Sequence, residues 1–299
     1  MADPHARSGT PARVERGGLW AAIRRRTAAA LASGALEPIE TETVPAPDGG
    51  IPFAVRVVRA PRRKERAPAA GERPDPFLPP EPDLVVGAIG AAHVCLLNKY
   101  PAIPHHALIA TREFEDQDSP LTRSDFEVLW TCLVEESGLI FYNAGAIAGA
   151  SERHRHLQLV PTPLVEPPLA TPLDAVLDDA HFEGGVGRVA SLPFLHGLGR
   201  LRAIANLAPA DAAEVLLGLY QELARAFGCH RHGQPYNLLV CRDWMLLVPR
   251  ARAQWRGVGV NALGFAGALM VPGHEELETL RRGGPLRVLA RVAVPIGGP

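Results

Sequence analysis

The 299-residue chain is 47% hydrophobic and 21% charged, with 31 basic and 32 acidic residues and a formal net charge of −1. That balance offers no general electrostatic hold on duplex nucleic acid or an anionic membrane, so neither is expected as a partner. No apolar run approaches the roughly 18 residues of a membrane span, and the polar start MADPHARSGTPARVERGG lacks the apolar centre of a secretory signal, so a cytoplasmic enzyme or binding protein is expected.

Residues 1–17 are polar and read as a flexible tail. LWAAIRRRTAAALASG (19–34) is rich in helix formers and ends on Gly34, a natural left-handed cap. PFAVRVV (52–58) alternates as a strand. Residues 59–83, rich in Pro and charge, read as an exposed loop; its cluster Arg62, Arg63, Lys64 and Arg66 is either a solvated face or a phosphate-binding loop. HVCLLNKYP (93–101) and HALIATREF (106–114) read as consecutive strands. TRSDFEVLWTCLVEES (122–137) reads as a helix starting near Ser124 or Asp125, and LIFYNAG (139–145) as a strand. The small residues of 145–149 let backbone amides approach a ligand such as phosphate, although a tight hairpin needs the same residues.

Composition changes near 165–185, where we place a soft boundary. DAAEVLLGLYQELARAFG (211–228) is an amphipathic helix, YNLLVCRDWMLLVPR (236–250) a strand pair turning at Arg242–Asp243, and VGVNALGFAGALMV (258–271) another apolar segment. No short-period repeat is visible. Cys95, Cys132, Cys229 and Cys241 form no C-x-x-C pair and read as buried reduced thiols.

The chemistry concentrates in GASERHRHLQLVP (149–161), where His154, His156 and Gln158 alternate and so leave a strand on one face. Spacing alone leaves four readings open: a wet strand face, a structural cluster, half of a metal site, or catalysis. Two histidines two apart can bind zinc, yet a full site needs further ligands that the neighbourhood does not supply, so no metal site is expected.

YNAGAIAGASERHRHLQLVP resembles the signature of the histidine triad superfamily, in its ATP adenylyltransferase (diadenosine tetraphosphate phosphorylase) branch, which carries N-x-G, then G-S/A-S, then H-x-H-x-Q. Residues 96–122 resemble the strand–turn–strand ahead of that signature, and 236–250 and 260–271 its C-terminal segments. The resemblance implies an α+β histidine-triad-like fold: a mostly antiparallel sheet with packed helices, and a C-terminal extension completing the pocket. It implies an N-terminal catalytic domain at 18–175 and an adenylyltransferase-type domain at 176–299.

The implied reaction is reversible phosphorolysis of diadenosine tetraphosphate to ATP and ADP through a nucleotidyl-histidine. The nucleophile carried over is His156, with His154 orienting the site or touching phosphate. One nitrogen of the nucleophile must be held in a hydrogen bond while the other attacks, and a main-chain carbonyl is the expected holder. Gln158 stands where hydrolases of the superfamily have a third histidine. Glutamine donates and accepts but does not titrate near neutrality, which favours an acceptor that is already anionic, such as inorganic phosphate, over water.

The resemblance further assigns nucleotide or phosphate contacts to Lys64, Asn98, Lys99, Asn143, Gly149, Ala150, Ser151, Gln158, Asn261 and Leu263. For Asn98, Asn143 and Asn261 turn chemistry is the competing reading. It implies no tightly bound cofactor, with Mg or Mn arriving on the substrate. Ala262, Ala268 and Pro272 depart from the family pattern; Pro272 replaces a lysine, and Arg250, Arg252 or Arg256 are candidates to supply its charge. A second H-x-H-x-Q, His230, His232 and Gln234, resembles that of galactose-1-phosphate uridylyltransferases. It is followed closely by Pro235 and reads as an exposed connection. A nucleotidyltransferase with another donor or acceptor, such as a uridylyltransferase or a sulfate adenylyltransferase, remains an alternative. So does a non-catalytic nucleotide- or metal-binding protein.

Overall fold

The computed structural model describes residues 11–59 and 75–297. The basic cluster containing Lys64 lies outside the described residues. Helix α1 (Leu19–Ser33) buries Leu19, Trp20, Ile23, Thr27 and Ala30 at helical spacing and stops where Gly34 turns left-handed at φ 77°. Strands β1 (Thr41–Pro45) and β2 (Ala54–Val58) pair antiparallel. Then β3 (Val85–Ile89), β4 (His93–Leu97) and β5 (Ala107–Thr111) run as a meander.

Helix α2 (Arg123–Glu135) starts from Thr122, one turn-position earlier than Ser124 or Asp125 suggested. The Asp125 carboxylate reaches back to the Thr122 N–H at 2.7 Å, completing a capping box. Strands β6 (Gly138–Ala144) and β7 (His156–Pro161) form the hairpin that follows.

The same order then repeats. A meander of β8 (Ala180–Glu183), β9 (Val186–Val189) and β10 (Gly197–Arg200) leads to helix α3 (Pro209–Ala226) and to the hairpin β11 (Tyr236–Val240) and β12 (Trp244–Pro249). The chain continues through β13 (Gln254–Trp255), β14 (Val258–Gly259), α4 (Ala262–Phe265), β15 (Ala268–Val271), α5 (His274–Gly283) and α6 (Pro285–Val292).

Ten strands make one sheet, ordered β3-β4-β5-β7-β6-β11-β12-β10-β9-β8, which reads alike from either end. The registers repeat as well. Ala107 faces Leu159 and Ala110 faces His156, while Gly197 faces Leu247 and Arg200 faces Trp244. His156 therefore corresponds to Trp244 and Gln158 to Leu246, and both hairpins end in Leu-Val-Pro. Strands β6 and β11 meet at the centre with Phe141 opposite Leu239, its own counterpart. The chain is thus an internal duplication about a two-fold axis near that pair, too diverged to show as a sequence repeat. The second copy has Trp244 and Leu246 where the first has His156 and Gln158. Trp244 and Leu246 are buried in the core.

Both faces of the central strands are covered, which is why β6, β11 and β12 read as apolar runs. Ile140, Tyr142, Leu157 and Leu159 pack under α1–α3. Leu139, Phe141, Val160 and Leu246 pack under β2, β15 and α4–α6. The expected α+β class with a mostly antiparallel sheet is what forms; β2 and β15 pair parallel. The expected division at 175 and 176 falls inside the turn Pro172–Asp179, and the sheet continues across it.

Two expectations need correction. The tail is not loose over its second half: Val14 N–H donates to Ala88 O at 2.8 Å and Ala88 N–H to Ala12 O at 2.9 Å, extending the edge of β3. The loop 59–83 is not exposed throughout, because Phe77 is buried with Val94, Leu96 and Ala110. That small cluster is separate from the main cores. Beside it, on the His156 face of the sheet, lies a cavity of about 270 Å³. Among the described residues no helix is long and apolar enough to cross a membrane.

Candidate active site

Strand β7 carries His156 and Gln158 to the cavity wall, where Asn98, Lys99 and Ser151 join them. His156 is 4% exposed. Its Nδ1 lies 2.8 Å from the His154 carbonyl oxygen, which can only accept, so Nδ1 carries the proton. Nε2 is left with a lone pair. Burial pushes the imidazole pKa down to about 4, so the ring is neutral at pH 7. The expected main-chain carbonyl is that of His154.

The backbone of His156 is braced where the β6–β7 ladder opens. Beyond Phe141 opposite Gln158 the two strands diverge. Gln117, which is buried, fills the gap: its Oε1 accepts from the His156 N–H at 2.8 Å, and its Nε2 donates to Asn143 O at 2.9 Å and His156 O at 3.3 Å.

His154 turns away from the cavity. Its Nδ1 meets Asp75 Oδ2 at 2.8 Å and its Nε2 meets Thr111 Oγ1 at 2.9 Å. The Thr111 hydroxyl donates its proton to Glu113 O at 2.8 Å and therefore accepts from His154. Asp75 anchors the segment that brings Phe77 over the site, its ring 5.4 Å from His154 and 5.3 Å from His156. Of the two roles open to His154, orientation matches this geometry. Arg155, between the histidines, points to the opposite face and pairs with Glu115 and Asp125.

Gln158 Oε1 lies 3.0 Å from Nε2 of His106, a residue that no sequence pattern singled out. His106 Nδ1 lies 3.1 Å from Asn98 Nδ2. Lys99 lines the cavity with its ammonium 2.7 Å from Glu81, so a bound phosphate must compete with that carboxylate.

The small-residue loop holds its shape through glycine. Gly145 and Gly149 sit at φ 80° and 99°, and a Cβ on Gly149 would come within 2.9 Å of Asn261 Cβ. The N–H groups of Gly149 and Ala150, expected to cradle phosphate, instead donate to Ala146 O and Gly145 O within the loop. Ser151 does line the cavity.

Three other assigned residues lie behind the loop rather than at the cavity. Asn143 is buried, its Oδ1 accepting from Asn237 Nδ2 at 2.8 Å and Ala262 N at 2.9 Å. Asn261 caps α4 through Leu263 N at 3.1 Å, and Leu263 packs in the core. Arg250 ties this layer together, donating to Ala148 O, Asn237 Oδ1 and Val260 O at 3.1, 2.6 and 2.8 Å. Its donors are spent on neutral acceptors, so it does not reach into the cavity as a replacement for the lysine missing at Pro272. The second H-x-H-x-Q lies in an exposed turn between α3 and β11, with His232 3.5 Å from Ser119 Oγ.

Residues 10–179 match the Ap4A phosphorylase N-terminal domain, and residues 190–295 match the ATP adenylyltransferase C-terminal domain, Ap4A being diadenosine tetraphosphate. The chain belongs to the Ap4A phosphorylase family. It is 28% identical over 255 residues to diadenosine 5′,5‴-P1,P4-tetraphosphate phosphorylase 2 of Saccharomyces cerevisiae, covering 77% of this chain and 78% of that protein. To Protein APA1 of the same yeast it is 28% identical over 271 residues, 81% and 83% of the two chains. Its fold is similar to the crystal structure of yeast Ap4A phosphorylase Apa2 in complex with Ap4A, with a TM-score of 0.76 and 25% identity over 94% of this chain and 99% of that one. The AMP complex of the same enzyme gives 0.77 and 26%, over 94% and 98%.

Proposed function

We propose that the protein catalyses reversible phosphorolysis of Ap4A to ATP and ADP through an adenylyl-His156 intermediate. The observation that carries this reading is the setting of His156: its Nδ1–H donates to the His154 carbonyl at 2.8 Å, which leaves Nε2 open. The yeast phosphorylase structures with Ap4A and AMP support the choice of substrate.

Nε2 attacks the α-phosphorus. A P–N bond forms as the bond to the bridging oxygen breaks, and ATP leaves with the electron pair. Phosphate then attacks the same phosphorus, the P–N bond breaks, the lone pair returns to Nε2, and ADP departs. Terminal phosphate groups ionise near pH 6, so neither the leaving ATP nor the entering phosphate needs a proton from the third triad position. Gln158 is then free to hold a phosphoryl oxygen, and Lys99, once released from Glu81, to offset charge on its neighbours.

Glu81 and Glu152 are the carboxylates at the cavity wall, and among the described residues no three His, Cys, Asp or Glu side chains form a metal cluster. A divalent cation, Mg or Mn, would arrive with the polyphosphate. Four buried free thiols suit the cytoplasmic setting.

The test is to mix the full-length protein with Ap4A in the absence of phosphate, quench in alkali and digest. One AMP per chain on the peptide containing His156, absent from His156→Ala, is expected. Label on another residue, or label retained by His156→Ala, overturns the assignment.

A further inference from the structure

The amide of Gln158 has two ends, and only one suits a phosphoryl oxygen. Nε2 donates; Oε1 would repel. Nothing in an isolated glutamine decides between them, but the hydrogen bonds behind this one do.

The chain of decisions starts at a group with no choice. The Tyr100 backbone N–H can only donate, and it meets Asn98 Oδ1 at 3.1 Å. That fixes the Asn98 side chain with its NH₂ toward His106 Nδ1, 3.1 Å away. An amide NH₂ only donates, so Nδ1 of His106 accepts and carries no proton. Burial drives the His106 pKa down to about 4, so the neutral ring holds its single proton on Nε2. That N–H donates to Gln158 Oε1 at 3.0 Å. The end of Gln158 left for the cavity is the donor.

We infer that His106 is a positioning residue for the transfer: with Asn98 it relays the direction of the Tyr100 N–H to Gln158, so that Gln158 always presents its NH₂ to the phosphoryl group. The inference rests on the reading of this cavity as the adenylyl-transfer site.

The duplicated half supplies the contrast. His196 stands one residue before β10 as His106 stands before β5. Gly187 faces Leu198 as Leu96 faces Leu108, which makes Val189 the counterpart of Asn98. His196 Nδ1 donates to Phe194 O at 2.8 Å, and its Nε2 accepts from Val189 N–H at 2.9 Å. The duplicated histidine thus carries the opposite tautomer, and the glutamine it would have faced is Leu246. Tautomer is set by local partners and not by the fold. The Nε2–H form occurs where there is an amide to orient.

The relay also accounts for Asn98. Carried over as a nucleotide contact, it sends its amide to His106 instead, although it still lines the cavity.

Two measurements test this in the full chain. ¹⁵N NMR of the imidazole nitrogens at pH 7, assigned by loss of signals in His106→Asn and His196→Asn, is expected to show the proton on Nε2 in His106 and on Nδ1 in His196. A proton on Nδ1 of His106 overturns the relay, and this readout stands whether or not Ap4A is a substrate. The second is a double-mutant cycle on Ap4A phosphorolysis. Asparagine at 106 cannot reach Gln158, whereas glutamine places a donor near the position of Nε2. His106→Asn is expected to lower kcat/KM by roughly ten- to hundredfold, the worth of one hydrogen bond to a charged group. His106→Gln is expected to restore most of it. In a Gln158→Ala background, His106→Asn is expected to add almost nothing. Equal losses in both backgrounds would reduce His106 to a structural residue and overturn the proposal.

Discussion

Arg250 ties the loop behind His156 to the layer beneath it. The guanidinium is buried, and no carboxylate is among its hydrogen-bond partners. Nη1 donates to Ala148 O, Asn237 Oδ1 and Val260 O, Nη2 to Arg252 O at 2.7 Å, and Nε to Val292 O at 3.3 Å. Burial lowers its pKa to about 10, which still leaves it charged at pH 7. Arg250→Met fills similar space but strips partners from these buried acceptors. Ala148 O keeps the Asn237 amide and Val292 O keeps the N–H groups of Ala251 and Arg252, so Asn237 Oδ1, Val260 O and Arg252 O are the acceptors that lose their donor. At about 1–3 kcal/mol each, losing these three removes about 3–9 kcal/mol, comparable with the whole stability of a typical domain. Arg250→Met is therefore expected not to fold. Arg250→Lys keeps the charge, but one ammonium cannot span all three of these acceptors; with about one left unpaired it is expected to cost about 1–3 kcal/mol in urea unfolding followed by tryptophan fluorescence. Because Ala148 closes the loop that leads to Ser151, KM for the nucleotide should rise in the same variant. An Arg250→Met protein within 1 kcal/mol of wild type would refute the reasoning, showing that the carbonyls find other partners.

Two further outcomes follow from site geometry and burial. Gly149→Ala places a Cβ against the Asn261 backbone and side chain at a left-handed φ, a strain of about 1–3 kcal/mol; kcat/KM on Ap4A is expected to fall at least tenfold with the fold retained, and unchanged kinetics would remove the close approach as a constraint. His106, His156 and His196 all have pKa values pushed down to about 4 by burial, against roughly 6.5 when unfolded. The unfolded chain takes up three protons that the folded one refuses, so stability present above about pH 6.5 is lost as pH falls toward 4, by up to about 4 kcal/mol per pH unit. Urea midpoints measured from pH 7 to pH 5 should fall steeply, with a slope about one third smaller in His196→Asn; a flat profile contradicts the burial of neutral imidazoles.

The sequence showed what depends on near neighbours. His154, His156 and Gln158 are spaced by the strand period, and the carbonyl that holds His156 belongs to a residue two positions away. Helix α1 and the hairpin of β11 and β12 have their signals, Gly34 and Arg242–Asp243, beside them in the chain. His106, Gln117, Asp75 and Arg250 gave no such signal, because each acts on a residue far along the chain that strand pairing or a folded loop brings close. The meander β8–β10 is short and rich in glycine, with little alternation to mark it. The duplication stayed hidden because its halves share little beyond Leu-Val-Pro, the second having exchanged polar site residues for Trp244 and Leu246. For Asn143 and Asn261, assigned nucleotide contacts by resemblance, the hydrogen bonds formed at strand and helix ends are those of the competing role for asparagine, capping and bracing backbone.

Product analysis on Ap4A, with and without inorganic phosphate, tests the account most directly. Equal amounts of ATP and ADP, formed only with phosphate and lost in His156→Ala, are the predicted result. AMP released at the same rate without phosphate would make the protein a hydrolase and contradict the role given to Gln158.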